Sequence, residues 1–349
     1  MPARQAGRQD RSIMVNNLTP PPFPPPSRGR EGGGGPLESA KNLKGRDLLS
    51  LAEFTPAEIK YILDLAAELK QRQKKGEPQT STLTGKTLGM IFQKASTRTR
   101  VSFEVAMYHL GGRALYLNAN DLQLGRGETI ADTARVLSRY LDGLVGRTYA
   151  QEDLEELALY ADIPVINGLS DLYHPCQVLA DLQTIREYKG NLVDLKLTYV
   201  GDGNNVCHSL LIAAAKLSLS FFIATPEEYP PAEKVITLAR HMARQTGSHI
   251  EILNSPAKAV ANADVIITDV WASMGQEAEQ KQRRKAFTPY QVNAELVKHA
   301  RPDFIFLHCL PAHRGEEVTA DIIDGPHAVV WDEAENRLHV QKAILSLIL

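Results

Sequence analysis

Cysteine is scarce in this 349-residue sequence. Its three residues, Cys176, Cys207 and Cys309, are too few and too scattered for a disulfide framework. They suit a reducing compartment, and a cytoplasmic location is the expectation. Long apolar runs are missing as well, so no segment is expected to span a membrane. Charge of one sign is also lacking. The 39 Lys and Arg nearly balance the 41 Asp and Glu, and no basic run stands out, which argues against a nucleic-acid partner. Two absences concern motifs. Gly201-Asp202-Gly203 lacks the third glycine of a dinucleotide fingerprint, because position 206 is Val206. His308, Cys309 and His313 lack the second Cys/His pair of a structural zinc site, so no metal is expected.

What is present is ordinary globular sequence behind an unusual start. The tail carries Pro20-Pro21-Pro22, Pro24-Pro25-Pro26 and Gly32-Gly33-Gly34-Gly35 with almost no apolar periodicity. Such a segment buries too little surface to offset its ordering entropy, and residues 1–42 are expected to be disordered. Its arginines (Arg4, Arg8, Arg11, Arg28, Arg30) are compatible with an organelle transit peptide, but its proline runs and poor amphipathicity argue against one. Met14 is a second possible start.

Beyond the tail, strand-like and helix-like runs alternate. Thr55-Pro56-Ala57-Glu58 is a helix start, with a helix running toward Lys74. Strands are expected at Thr87–Phe92, Ala114–Leu117, Gly143–Gly146 and Pro164–Asn167, separated by helices that include Thr129–Tyr140 and Glu152–Tyr160. A long helix opens at His174. The alternation restarts with strands at Lys196–Val200, Phe221–Ala224, His249–Leu253, Val265–Thr268 and Phe304–Leu307, and a last short one at Val329-Val330. This order predicts an α/β fold of two similar domains, each a parallel sheet flanked by helices. The first covers residues 43–178 and the second 179–333. The Leu- and Ile-rich run 334–349 is expected to form a helix packing back on the first domain.

Chemistry collects just after strands, where parallel sheets bind ligands. Ser96-Thr97-Arg98-Thr99-Arg100 lies between an apolar strand and a helix. Unpaired N–H groups, the positive end of a helix dipole, three hydroxyls and an arginine fork would together cradle a phosphate. The blander reading is a hydroxyl cap with two solvated arginines, which two arginines and three hydroxyls within one turn weaken. Arg147 and His174 also follow strands, and Gln177 lies one turn beyond His174; alone, that pair reads as a capping His and an exposed Gln. Asn205, at a helix start, could bind a carboxylate or amide. Asp269, at a strand end, could pair with a cationic ligand or simply cap a loop. The polar stretch from Gln276 to Lys285 suggests a mobile lid. Cys309 reads most simply as a buried, inert thiol.

Together these residues resemble the aspartate/ornithine carbamoyltransferase family. STRTR at Ser96–Arg100 and HPCQ at His174–Gln177 are similar to its carbamoyl phosphate signatures. DVWASMG at Asp269–Gly275 and HCLP at His308–Pro311 are similar to those of its ornithine branch. The resemblance runs from about Leu43 to the C-terminus; the tail lies outside the family pattern, and Cys176 fills a position that varies within it. It implies attack of ornithine's side-chain amine on carbamoyl phosphate, giving citrulline and phosphate for arginine synthesis or breakdown. Another amine acceptor, such as putrescine or an N-acylated ornithine, is the alternative. It implies that Ser96, Thr97, Arg98 and Thr99 hold the phosphate, and that Arg147, His174 and Gln177 hold the carbamoyl group, with Pro175 and Cys176 in the same motif. Arg147 and His174 can donate to an oxygen gaining negative charge, and Gln177 can accept from the carbamoyl NH2. Gln123 resembles a residue reaching the phosphate site of a neighbouring subunit. Cys309 and Leu310 would line the reacting centre and Arg337 would close it. Asn205, Asp269, Ser273 and Met274 would hold ornithine. The resemblance implies no cofactor, and a homotrimer or a multiple of trimers.

Because Met1–Glu38 has no periodic apolar face, deleting it is expected to leave carbamoyl transfer and the melting temperature nearly unchanged. A thermal melt and a citrulline assay on the shortened chain check this, and a large drop in either would mean that the tail docks on the folded body.

Overall fold

The computed structural model describes residues 42–79, 81–273, 275 and 277–349. The tail expected to be disordered, apart from Asn42, therefore lies outside the described residues, as does Met274. Helix α1 (Pro56–Lys74) starts as its sequence dictates: Thr55 Oγ1 accepts from Glu58 N, and the Glu58 carboxylate accepts from Thr55 N. There follow β1 (Thr87–Phe92), α2 (Thr97–His109), β2 (Arg113–Asn118), α3 (Ile130–Leu137), β3 (Gly143–Arg147), α4 (Gln151–Tyr160), β4 (Val165–Leu169) and α5 (Pro175–Lys189). The second half continues through β5 (Lys196–Val200), α6 (Asn205–Leu217), β6 (Ser220–Ala224), α7 (Glu233–Thr246), β7 (His249–Leu253), α8 (Pro256–Val260) and β8 (Val265–Thr268). It ends with α9 (Gln280–Phe287), α10 (Ala294–Val297), β9 (Ile305–His308), α11 (Ala320–Ile323) and α12 (Val330–Ile348).

Every strand pairing is parallel, and the strands form two sheets, β2-β1-β3-β4 and β7-β6-β5-β8-β9. Central strands covered on both faces read as continuous apolar runs, as β8 (Val265-Ile266-Ile267-Thr268) does. The strand orders place the site. In the first sheet the chain runs from β1 out to β2 and then returns to the other side at β3. The crevice between the ends of β1 and β3 is thus a topological switch point, and so is the one between β5 and β8. Ser96 to Arg100 follow β1, Arg147 ends β3, Asn204 and Asn205 follow β5, and Asp269 follows β8. A register shift at Gly146/Arg147 pairs Arg147 with Leu169 and re-aims the arginine at the strand end.

Helix α12 packs on α1, α2 and α5, so the C-terminal helix returns to the first sheet's layer as expected. Val329 and Val330 do not form a strand. The chain touches β9 through one bridge, Phe306 with Ala328, and then turns into α12. Asp332 in the first turn complements the helix dipole and favours that early start. The predicted lid is helical from Gln280, and its buried Arg283 pairs with Asp202 Oδ2 at 3.0 Å. No helix of the described residues is long and apolar enough to cross a membrane.

Gly203 shows how tightly the turn after β5 is built. A Cβ there would lie 2.2 Å from Pro231 N and 2.3 Å from Pro230 C, both backbone atoms. Since backbone yields less readily than a side-chain tip, Gly203→Ala is expected to destabilise the fold by about 1–3 kcal/mol or more. Thermal unfolding beside the parent chain measures this, and an unchanged melting temperature would show that the Pro230-Pro231 segment gives way freely.

Candidate active site

The two switch points face each other across one cleft of about 1080 Å3. Its first wall is the N-terminus of α2. Ser96 caps this helix by accepting from Thr99 N at 3.2 Å, so the turn carries unpaired N–H groups toward the cleft. The hydroxyl cap is thus present on the same turn that the sequence suggests as a phosphate cradle.

Three arginines converge here from distant parts of the chain, and each donates to neutral groups. Arg98 Nη2 donates to Leu310 O at 2.7 Å, and Arg147 Nε donates to Lys94 O at 3.2 Å. Arg337 Nη2 donates to Thr99 Oγ1 at 2.8 Å, and its Nη1 donates to Gln177 Oε1 at 2.5 Å. Among the described residues none of the three has a carboxylate partner. Burial, with Arg337 and Arg98 nearby, pulls the Arg147 guanidinium down to about 10. One wall of the cleft therefore concentrates positive charge.

His174 is buried among these cations. Burial and then Arg337, Arg147 and Arg98 hold its ring well below the usual histidine range, so it is neutral. Arg337 Nη1 faces His174 Nε2 at 3.4 Å. A donor there makes Nε2 the acceptor and puts the ring proton on Nδ1, which is buried and has no partner among the described residues.

Across the cleft lies a group of opposite character. Asp269 Oδ1 accepts from Cys309 Sγ at 3.0 Å and from Val270 N at 2.8 Å, and Oδ2 accepts from Asn204 Nδ2 at 2.7 Å. Burial, followed by the Asp269 charge, pushes the Cys309 thiol well above its ordinary range, so it is a protonated donor. Leu310 has φ 57°, a left-handed conformation costly for its side chain. Its N–H donates to His308 Nδ1 at 2.9 Å, and its C=O takes the Arg98 bond. His308 Nε2 faces Glu317 Oε1 at 3.1 Å.

Asp269, His308 and Cys309 bring ligand-type atoms within 4.8 Å of one another. Both His308 nitrogens are already engaged, and the thiol donates to Asp269, so this trio fits an ion only after rearrangement. The second such group, His313, Glu316 and Glu317, has Glu316 ion-paired with Arg284.

Of the residues anticipated from sequence, Ser96, Thr97, Arg98, Thr99, Arg147, His174, Asn205, Asp269, Ser273, Cys309, Leu310 and Arg337 line the cleft together. Pro175, Cys176 and Gln177 sit in the buried layer behind it. Gln123 is exposed in a short 3-10 turn and does not line the cleft of its own chain. Asn205 Nδ2 is occupied by Ser170 O at 2.6 Å, and the neighbour Asn204 is the residue bonded to Asp269. Asn204, Asp181, Glu333 and Lys94 escaped the sequence reading. Asn204 could have been found as the residue capping α6, whereas Glu333 looks like any acid in a helix's first turn.

The family domain described as "Aspartate/ornithine carbamoyltransferase, carbamoyl-P binding domain" matches residues 46–187, and "Aspartate/ornithine carbamoyltransferase, Asp/Orn binding domain" matches residues 193–348. The ornithine carbamoyltransferase of Pyrococcus abyssi is 65% identical over 308 residues, which cover 88% of this chain and 97% of that protein. The solved ornithine carbamoyltransferase from Pyrococcus furiosus superposes with a TM-score of 0.85 at 64% identity, covering 88% of this chain and 98% of that one. The anabolic ornithine carbamoyltransferase from Campylobacter jejuni gives 0.81 at 43% identity, covering 86% and 97%. The chain belongs to the aspartate/ornithine carbamoyltransferase family.

Proposed function

We propose that the cleft transfers the carbamoyl group of carbamoyl phosphate to the side-chain amine of L-ornithine, giving L-citrulline and phosphate, in the direction of arginine synthesis. One observation carries this: three arginines without carboxylate partners meet at the N-terminus of α2, directly across from Asp269. A dianionic phosphate is the natural complement of the first group, and an α-ammonium that of the second.

In this reading residues 43–178, with the C-terminal helix, bind carbamoyl phosphate, and residues 179–333 bind ornithine. Ser96, Thr97, Arg98 and Thr99 hold the phosphate. Arg147 and the Nδ1–H of His174 donate to the carbamoyl oxygen as attack turns it into an oxyanion. Gln177 and Arg337 fix the remaining face of the carbamoyl group. Asp269, with Asn204 behind it, takes the α-ammonium, and Asn205, Ser273 and Met274 complete the amino-acid end. Cys309 and Leu310 bound the reacting centre. The carbonyl carbon gains a C–N bond, and the tetrahedral intermediate then loses the C–O bond to phosphate; the proton shed by nitrogen leaves to solvent or phosphate. Activation resides in the mixed carbamic–phosphoric anhydride of carbamoyl phosphate, so no cofactor is invoked. The assembly is a homotrimer or a multiple of one, with Gln123 serving a neighbouring subunit's phosphate site.

Arg98 must serve as a planar fork as well as a charge, because it holds Leu310 O while facing the phosphate. Arg98→Lys is expected to lower kcat/KM for carbamoyl phosphate by at least about tenfold, or about 1.4 kcal/mol. Steady-state citrulline formation measures it, and near-parental kinetics would remove Arg98 from the phosphate site.

The nucleophile must be the neutral amine. With a reference pKa near lysine's of about 10.4, only roughly one ornithine in 2,500 has that form at pH 7. Cys309 is a protonated thiol and both nitrogens of His308 are engaged, so neither serves as the base. Log kcat/KM for ornithine is therefore expected to rise between about pH 6 and 8 with a slope near one. Asp269→Asn is expected to lower the whole curve and keep that slope, since it weakens binding without touching the reacting amine. A flat parental profile would mean that the protein itself removes the proton. Putrescine, aspartate and N-acetylornithine run beside ornithine test the acceptor.

A further inference from the structure

Gln177 is wholly buried on the first turn of α5, and its amide is gripped from both ends. Nε2 donates to Asp181 Oδ1 and to Glu333 Oε1, each at 2.8 Å, while Oε1 accepts from Arg337 Nη1 at 2.5 Å. Two acceptors on one side and a donor on the other leave a single possible orientation for the amide. Asp181 lies one helical turn beyond Gln177. Glu333 comes from α12, and its Oε2 accepts from His308 N at 2.9 Å, one residue before Cys309. Glu333 thereby joins an amide of the first sheet's layer to the loop after β9 in the second.

Asp181 and Glu333 are each 1% exposed, and both accept from the one nitrogen Gln177 Nε2, which sets the two carboxyl groups side by side. Burial pushes both upward, Asp181 to about 7 and Glu333 well above the usual carboxylate range. Arg337 directs its Nη1 and Nη2 donors to Gln177 and Thr99, and among the described residues it makes no hydrogen bond to either acid. Two adjacent carboxylates would repel, and one shared proton turns that repulsion into a bond.

We propose that Asp181 and Glu333 form a proton-sharing carboxyl pair that positions Gln177, and through it Arg337 and the His308–Leu310 turn, around the carbamoyl group. The functional half of this rests on the carbamoyl-transfer reading; the shared proton does not. Both are positioning residues, since neither lines the cleft.

Hydrogen-bond arithmetic supplies the test. The two carboxyls accept both Gln177 amide hydrogens and the His308 N–H, and they hold one proton between them. Asp181→Asn puts an amide hydrogen where the shared proton stood and keeps an oxygen for Gln177, whereas Glu333→Gln leaves one donor without its acceptor, because both Glu333 oxygens are in use. Asp181→Asn with Glu333→Gln removes two oxygens and adds amide hydrogens, which leaves buried donors without acceptors.

On the full chain at neutral pH, the infrared difference between the parent and Glu333→Gln is expected to show the carbonyl stretch of a protonated carboxylic acid, present in the parent only. In kinetics, Asp181→Asn is expected to lose about three- to tenfold in kcat/KM for carbamoyl phosphate, Glu333→Gln up to about thirtyfold, and the double variant at least about a hundredfold beyond either. At saturating carbamoyl phosphate the KM for ornithine is expected to move less than about threefold, a split that general destabilisation would not produce. A missing infrared band overturns the proposal. So does a single amide as damaging as the double, or a loss shared equally by both substrates. Should the double variant fail to fold, the band and the two single variants decide: the band with modest losses supports the proposal, and a single-variant loss beyond a hundredfold overturns it. A parent chain that makes no citrulline while showing the band would defeat the carbamoyl-transfer reading and leave the shared proton standing.

Discussion

Arg337 is the interaction on which the cleft depends. It comes from the C-terminal helix, yet it bonds Thr99 in the phosphate turn and Gln177 on α5, and it faces His174. One buried guanidinium thus holds together three segments that are far apart in sequence. A planar group with donors in fixed directions can do this, whereas an ammonium would offer a point charge and no preferred plane. The packing of α12 on α1, α2 and α5 is the apolar counterpart of those bonds, because without that helix the guanidinium could not be delivered to the site.

The cleft's electrostatics follow from which groups are kept neutral. His174 is uncharged because burial and three cations oppose its protonation, and Cys309 keeps its proton because burial and Asp269 oppose a thiolate. With those groups silent, Arg98, Arg147 and Arg337 dominate one wall. Three of the acids lining the cleft are committed elsewhere: Asp269 to Asn204 and Cys309, Asp202 to Arg283, and Asp171 to Lys94. An anion entering the cleft therefore meets preorganised donors whose cost was met in folding. The left-handed Leu310 fits the same pattern, since its strain is held in place by His308 and Arg98 at the point where the two halves of the site touch.

Much of this was legible in the chain. The capping box at Thr55 and Glu58 marked a helix that runs to Lys74, and β5, β7 and β8 begin and end where apolar periodicity places them. The cleft-lining turn from Ser96 to Thr99 was visible because its chemistry is local: hydroxyls and an arginine beside a strand-to-helix junction suffice to describe it. Val329-Val330 misled because β-branched pairs look alike in a strand and at a helix start, and only the following acids distinguish them. Asn205 was chosen over Asn204 because neighbouring asparagines cannot be ranked without knowing which one caps the helix.

The sequence alone determined the alternation of strands and helices, and hence two parallel sheets and the rule that ligands gather at strand ends. It also determined that the site would contain arginine, histidine and a carboxylate, and that no disulfide would staple it. Tertiary structure decided the strand orders β2-β1-β3-β4 and β7-β6-β5-β8-β9, which turn the ends of β1 and β3 into one crevice and those of β5 and β8 into another. It decided that Arg337 would serve the first half from the far end of the chain, and that Asp181 and Glu333 would meet behind Gln177. The physical reason is range. Propensity, capping and periodicity act over a turn or two of chain, whereas the orientation of a buried amide or the pairing of two acids depends on groups up to 160 residues apart, brought into contact only when the whole core closes.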